Sequence, residues 1–124
     1  MKFLDSNVLA NAFYENEHVI KCQKSIMEGG LTDVFNLIEA FFIIEKETGR
    51  RELAQKSIRA LLKSNITIIE VDVNLFFETL KRIHKTKLSV FDAIHYNCAL
   101  MNNCNVILSY DKDFDDLDIP REEP

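Results

Sequence analysis

The sequence predicts a helix-rich α/β fold built on a parallel sheet. Two observations carry that prediction. Short runs of apolar and β-branched residues, such as residues 66–71 (ITIIEV) and 106–109 (VILS), read as strands. Longer stretches with apolar residues at helical spacing lie between them. Strands alternating with helices imply parallel pairing through right-handed crossovers.

Taken in order, residues 2–4 form the first strand, Asp5-Ser6-Asn7 a turn, and residues 8–14 a short helix. Val19, Ile20, Cys22, Ile26 and Met27 mark a second helix, which Gly29-Gly30 stops as a C-cap. Thr32 is the expected N-cap of a third helix, with Asp33 in its first turn and Gly49 at its end. Gly29 to Asp33 leaves little room for a strand before that helix. A fourth helix spans residues 50–64, with Leu53, Ile58, Leu61 and Leu62 inward. After the strand at 66–71, Asp72 caps a fifth helix over residues 74–85, whose apolar face is Leu75, Phe76, Leu80 and Ile83. Ser89 opens a sixth helix through VFDAIHYNCALMNN, and the strand at 106–109 follows. Residues 110–117 are a turn with a short helical piece. Neither a domain boundary nor a repeat is visible, so residues 1–124 are expected to form one domain. The acidic tail at 118–124 is expected to fray unless residues 117–119 add a short strand.

Composition narrows the function. Nearly half of the 124 residues are apolar, with nine Phe, enough for a core without staples. The longest apolar runs are too short to span a bilayer, and the N-terminus lacks the features of a targeting signal. Three cysteines, Cys22, Cys98 and Cys104, show no CxxC spacing, which argues against zinc or a disulfide framework. A cytosolic protein is the expectation. The net charge of −5 arises entirely in residues 111–124, which hold seven acids and two bases. Residues 1–110 balance thirteen against thirteen. A neutral body can still present a basic face to a nucleic acid.

Four carboxylates carry the chemistry. Asp5 ends the first strand, where open α/β sheets place their ligands, although Asp before a helix also serves as an N-cap. Glu39 is flanked by Phe35, Ile38, Phe42 and Ile43, and a lone carboxylate there is costly unless paired or metal-bound. Asp92 completes a Ser-x-x-Asp capping box with Ser89, yet it opens a helix committed to the core. Asp111 follows the last strand as Asp5 follows the first, so both emerge at one sheet edge. Such a cluster suits Mg²⁺ or Mn²⁺, hard ions that take oxygen ligands and support phosphodiester hydrolysis. His95, one turn from Asp92, is either near the site or a core histidine. Lys81, Arg82, Lys85 and Lys87 form a basic stretch, either a rim for phosphates or a solvated helix end. The AFFII run at 40–44 is either doubly buried or an interface.

In order, FLDSNVLANAF, NLIEAF, FDAIHYNCAL and VILSYDKDFDDL resemble the PIN-domain ribonucleases, in particular the small VapC-like toxins of prokaryotic toxin–antitoxin systems. The resemblance implies a three-layer α/β/α sandwich and a Mg²⁺- or Mn²⁺-dependent endoribonuclease whose four acids are Asp5, Glu39, Asp92 and Asp111. Asn7 and Ser109 match supporting polar positions, and Asp113 matches an accessory acid. The resemblance also implies an RNA substrate, a homodimer and a small antitoxin partner. A PIN-like binding module without catalysis is the alternative. A phosphoryl-transfer domain fits less well: Asn7 stands where a dehalogenase-type turn wants a second Asp.

Overall fold

A computed structural model describes residues 1–124. Five strands form one all-parallel sheet: β1 (Lys2–Leu4), β2 (Gly30–Asp33), β3 (Ile66–Ile69), β4 (Val106–Leu108) and β5 (Arg121–Glu122). The order across the sheet is β3-β2-β1-β4-β5. Six helices connect them: α1 (Ser6–Asn11), α2 (Val19–Glu28), α3 (Val34–Thr48), α4 (Arg51–Leu62), α5 (Val73–Leu80) and α6 (Val90–Met101).

Alternation along β1 divides the core. Phe3 faces one side of the sheet and Leu4 the other, both fully buried. Leu4 joins Val8, Leu37, Ile44 and Leu61, the layer supplied by α1 to α4. Phe3 joins Leu75, Ile94, Ile107 and Phe114, the layer supplied by α5, α6 and the end of the chain. The architecture is therefore the three-layer α/β/α sandwich.

Several local expectations are corrected. A strand, β2, does precede the helix of Glu39. Gly29 ends α2, but Gly30 opens the strand, at φ +142 and so close to β1 that a Cβ would lie 2.6 Å from the Lys2 carbonyl oxygen. The N-cap of α3 is Asp33, not Thr32: the Asp33 carboxylate accepts the Asn36 N–H at 2.9 Å, while the Thr32 hydroxyl donates to the Leu4 carbonyl at 2.7 Å. Helix α1 starts two residues early because Asp5 itself caps it, accepting the Ser6 N–H at 2.9 Å.

Helix α5 ends at Leu80 rather than at Lys85. The Arg82 N–H bonds three residues back, to Thr79, and Ile83–Lys85 tightens into a 3₁₀ turn. Leu62, Phe76 and Leu80 lie exposed, where an inward face was expected. In the AFFII run, Ala40 and Ile44 are buried and Phe42 is exposed, so the helix is not buried all round. The tail, instead of fraying or pairing at 117–119, adds β5 beside β4. Arg121 holds it by donating to the Ser109 carbonyl at 2.9 Å and pairing with Asp115 at 2.7 Å and Glu123 at 3.0 Å.

Candidate metal centre

In an open parallel sheet the ligand crevice lies beyond the carboxyl ends of the strands, where the strand order reverses. Here the reversal falls between β1 and β4. Leu4 pairs with Leu108, so the next residues, Asp5 and Ser109, face each other where the two strands end. Asp5 is buried, and its Oδ2 accepts from the Ser109 hydroxyl at 2.6 Å and from Asn7 Nδ2 at 3.1 Å. Asn7 Nδ2 also donates to Ser109 Oγ at 3.2 Å, and Asn7 Oδ1 accepts the Tyr110 N–H at 3.2 Å. Ser109 Oγ in turn accepts the Asp111 N–H at 2.9 Å. The two polar residues matched to supporting positions thus tie the β1 and β4 ends together and fix the Asp5 carboxylate.

Glu39 stands on α3, half-buried, and Asp92 in the first turn of α6, where Ser89 caps the helix by accepting the Asp92 N–H at 3.2 Å. Asp111 Oδ1 accepts the Asp113 N–H at 2.9 Å, which bends the chain into the 3₁₀ turn Lys112–Phe114. Ligand atoms of Asp5, Glu39 and His95 lie within 4.8 Å of one another, as do those of Asp92, Asp111 and Asp113. The two groups share one electrostatic field. Burial, then the charges of Asp5, Asp111 and Glu39, push the Asp92 carboxyl up to about 6, against a partial offset from His95. Burial likewise raises Asp5, against the lowering effect of the Ser109 hydroxyl and the His95 charge. Glu39 differs: burial raises it, but the hydrogen bond and charge of His95 prevail, and its carboxyl lies below the ordinary value.

His95 is a core histidine that also borders the site. It is fully buried, with Nδ1 2.7 Å from Asp33 Oδ2 and Nε2 3.0 Å from Glu39 Oε1. Burial disfavours the imidazolium, yet the hydrogen bonds to both carboxylates and their charges raise its pKa to about 10. Asp33, which by sequence is only a first-turn acid, is also fully buried. The one sequence signal for this pair is that Asp33 and His95 both sit in apolar surroundings, which requires partners.

The basic stretch is not joined to the carboxylates by any ion pair. Lys81 pairs with Glu78 at 3.1 Å and covers the Phe77 ring, and Arg82 donates to Asn97 Oδ1 at 3.2 Å. Arg82 and Lys85 line a cavity of about 540 Å³ beside α6, with Tyr96, Leu100, Asp116 and Asp118 among the other walls.

The donor set suits a hard divalent cation. It consists of carboxylate oxygens, it is partly buried, and burial holds two of its members, Asp5 and Asp92, above their ordinary pKa.

A fold of this topology with acids at the β1 and β4 ends defines a class, and comparison with known proteins agrees. The family model of the PIN domain matches residues 2–120, and the chain belongs to that family. Among solved structures, it is similar to the Mycobacterium tuberculosis VapC20 toxin, described as cleaving the sarcin–ricin loop, with a TM-score of 0.83, 15% identity and 100% of both chains covered. It is similar to a toxin–antitoxin complex from Klebsiella pneumoniae, with a TM-score of 0.74 and 16% identity over 95% of this chain and 93% of that one. VapBC2 from Rickettsia felis, bound to a DNA fragment from its promoter, gives 0.70 and 13% identity over 98% and 97%. At such identities the likeness is one of fold. Among curated proteins there is no significant match.

Proposed function

We propose that this chain is a divalent-metal-dependent endoribonuclease and the toxin of a toxin–antitoxin pair. What supports the proposal is a PIN-domain sheet with two acidic groups, Asp5 with Glu39 and Asp92 with Asp111, the Asp92 carboxyl being raised to about 6 by burial and by the charges of Asp5, Asp111 and Glu39. These four carboxylates would hold Mg²⁺ or Mn²⁺, and Asp113 stands beside Asp111 as an accessory acid. When bound, the ion supplies a polarised phosphate oxygen and an activated water for phosphodiester hydrolysis.

The remaining work belongs to the protein's own groups. Ser109 and Asn7 hold Asp5 through Oδ2 and the Ser6 N–H holds it through Oδ1, so the carboxylate is kept in one orientation. Exposed Lys85 and Lys87, with Lys81 and Arg82, would take RNA phosphates along the α6 side. The likeness in fold to the Klebsiella pneumoniae toxin–antitoxin complex and to Rickettsia felis VapBC2 supports an antitoxin partner. The exposed apolar residues Val73, Phe76, Phe77 and Phe91 support a protein interface, which we assign to a homodimer. No helix is long and apolar enough to cross a membrane, and the cytoplasm is the proposed site of action.

The test is cleavage of a structured RNA by purified protein with Mg²⁺ or Mn²⁺. Activity is expected with either ion, lost with EDTA, and reduced at least a hundredfold by Asp5→Asn or Asp92→Asn. A folded wild-type protein that cuts no RNA with either ion would instead be a PIN-like binding module.

A further inference from the structure

One buried pair of ionisable groups, Asp33 and His95, lies outside the four-carboxylate set and adjoins it at Glu39. Asp33 ends β2, where it pairs in register with Ile69, and its Oδ1 caps α3 through the Asn36 N–H. Its Oδ2 meets His95 Nδ1 at 2.7 Å, and His95 Nε2 meets Glu39 Oε1 at 3.0 Å. Resting on the metal-site reading above, we propose that Asp33 and His95 are positioning residues that fix the Glu39 carboxylate in the metal centre.

Geometry supports this on three counts. The imidazole is 0% exposed and both of its nitrogens are engaged, so the ring has no second orientation that keeps Asp33 paired. Leaving a fully buried carboxylate without its partner is costly, which locks the ring. Asp33 is itself anchored twice, by the sheet and by its cap, so the rigidity of β2 is passed through the ring to Glu39. Glu39 has three rotatable side-chain bonds and a side chain about a third exposed at 34%, and besides His95 only the Ser6 hydroxyl acts on its carboxylate.

The experiment is a double-mutant cycle on the full chain, reading Mn²⁺ affinity by calorimetry and kcat and KM on RNA. His95→Phe fills the site but removes both donors. It should weaken Mn²⁺ about tenfold or more, as loss of a group that orients a ligand does. Glu39→Gln should weaken it similarly, and the double mutant should be no worse than the poorer single mutant, because both changes remove one function. The loss of activity should fall on kcat with KM little changed. His95→Gln, which keeps a donor toward Glu39, should recover most of the affinity.

Asp33→Asn reaches Glu39 only through His95. It should weaken Mn²⁺ in the wild type and have no effect in the Glu39→Gln background, and it serves if His95→Phe does not fold. The proposal is overturned if folded His95→Phe keeps wild-type Mn²⁺ affinity and kcat while melting lower, or if its loss adds to that of Glu39→Gln. It is also overturned if Glu39→Gln alone changes nothing. Failure of the wild type to bind Mn²⁺ would defeat the metal reading itself, and this proposal with it.

Discussion

Among the site carboxylates, Asp92 couples the fold to pH. Its carboxyl is raised to about 6, from a value near 3.8 when free of its neighbours. Between those values the folded state binds the proton more tightly than the unfolded chain does. The metal-free fold therefore loses stability from this group as pH rises from about 4 to 6, and the penalty persists above. Asp92→Asn removes a repelling charge, so at pH 7.5 the metal-free variant should melt a few degrees above the wild type. Calorimetric melting of both in EDTA checks this. A metal needs the deprotonated acid, so Mn²⁺ affinity of the wild type should weaken progressively below about pH 6. Titrations at pH 5 and 7.5 measure it, and equal affinities would contradict the account.

The same scale shows why the carboxylates were legible in the sequence and their supports were not. Asp5 and Asp111 each end an apolar strand, and Glu39 interrupts an apolar helix, so each announces itself locally. Asp33 and His95 look like a helix acid and a core histidine. Their partnership spans 62 residues of sequence, and that of His95 with Glu39 spans 56, distances over which periodicity carries no signal.

Among the elements, β2 is the one the sequence concealed. GLTD is short, half polar and preceded by a helix-stopping glycine, so it reads as a cap region. What makes it a strand is tertiary: Gly30 lets the chain pass against Lys2 where any side chain would collide, and Thr32 reaches across to the Leu4 carbonyl. Gly30→Ala adds a Cβ 2.6 Å from a backbone oxygen at a positive φ, and should cost about 3 kcal/mol of stability. Urea unfolding measures that cost; a change under about 0.5 kcal/mol would mean that β2 does not depend on this approach. The end of α5 was obscured for a related reason. Residues 81–85 suit a helix by composition, but Arg82 is drawn to Asn97 on α6 and the chain tightens there.

At the scale of the molecule, the parallel arrangement was readable from strands alternating with helices, and it brings the ends of β1 and β4 together. The excess of acids lies in residues 111–124, beside that site, and Arg121 is the residue that organises them. With its side chain 12% exposed, it ties Asp115 and Glu123 to the Ser109 carbonyl at the β4 end. Arg121→Ala should release β5, lower the melting temperature by a few degrees, and raise hydrogen exchange selectively at the Ile107 and Ser109 amides, which bond to Pro120 and Glu122. Unchanged protection at those two amides would show that the strand holds without Arg121.

The central claim is that the carboxylates gathered at the sheet's switch point bind a divalent cation in the native state. Thermal unfolding with increasing Mn²⁺ tests it most directly, comparing the wild type with the Asp5→Asn/Asp111→Asn double variant. At a hundred times the dissociation constant the ion should add about 2.7 kcal/mol of stability to the wild type, a shift of several degrees, and almost none to the variant. A wild type whose melting temperature does not move with Mn²⁺, or a variant that shifts equally, would contradict the account.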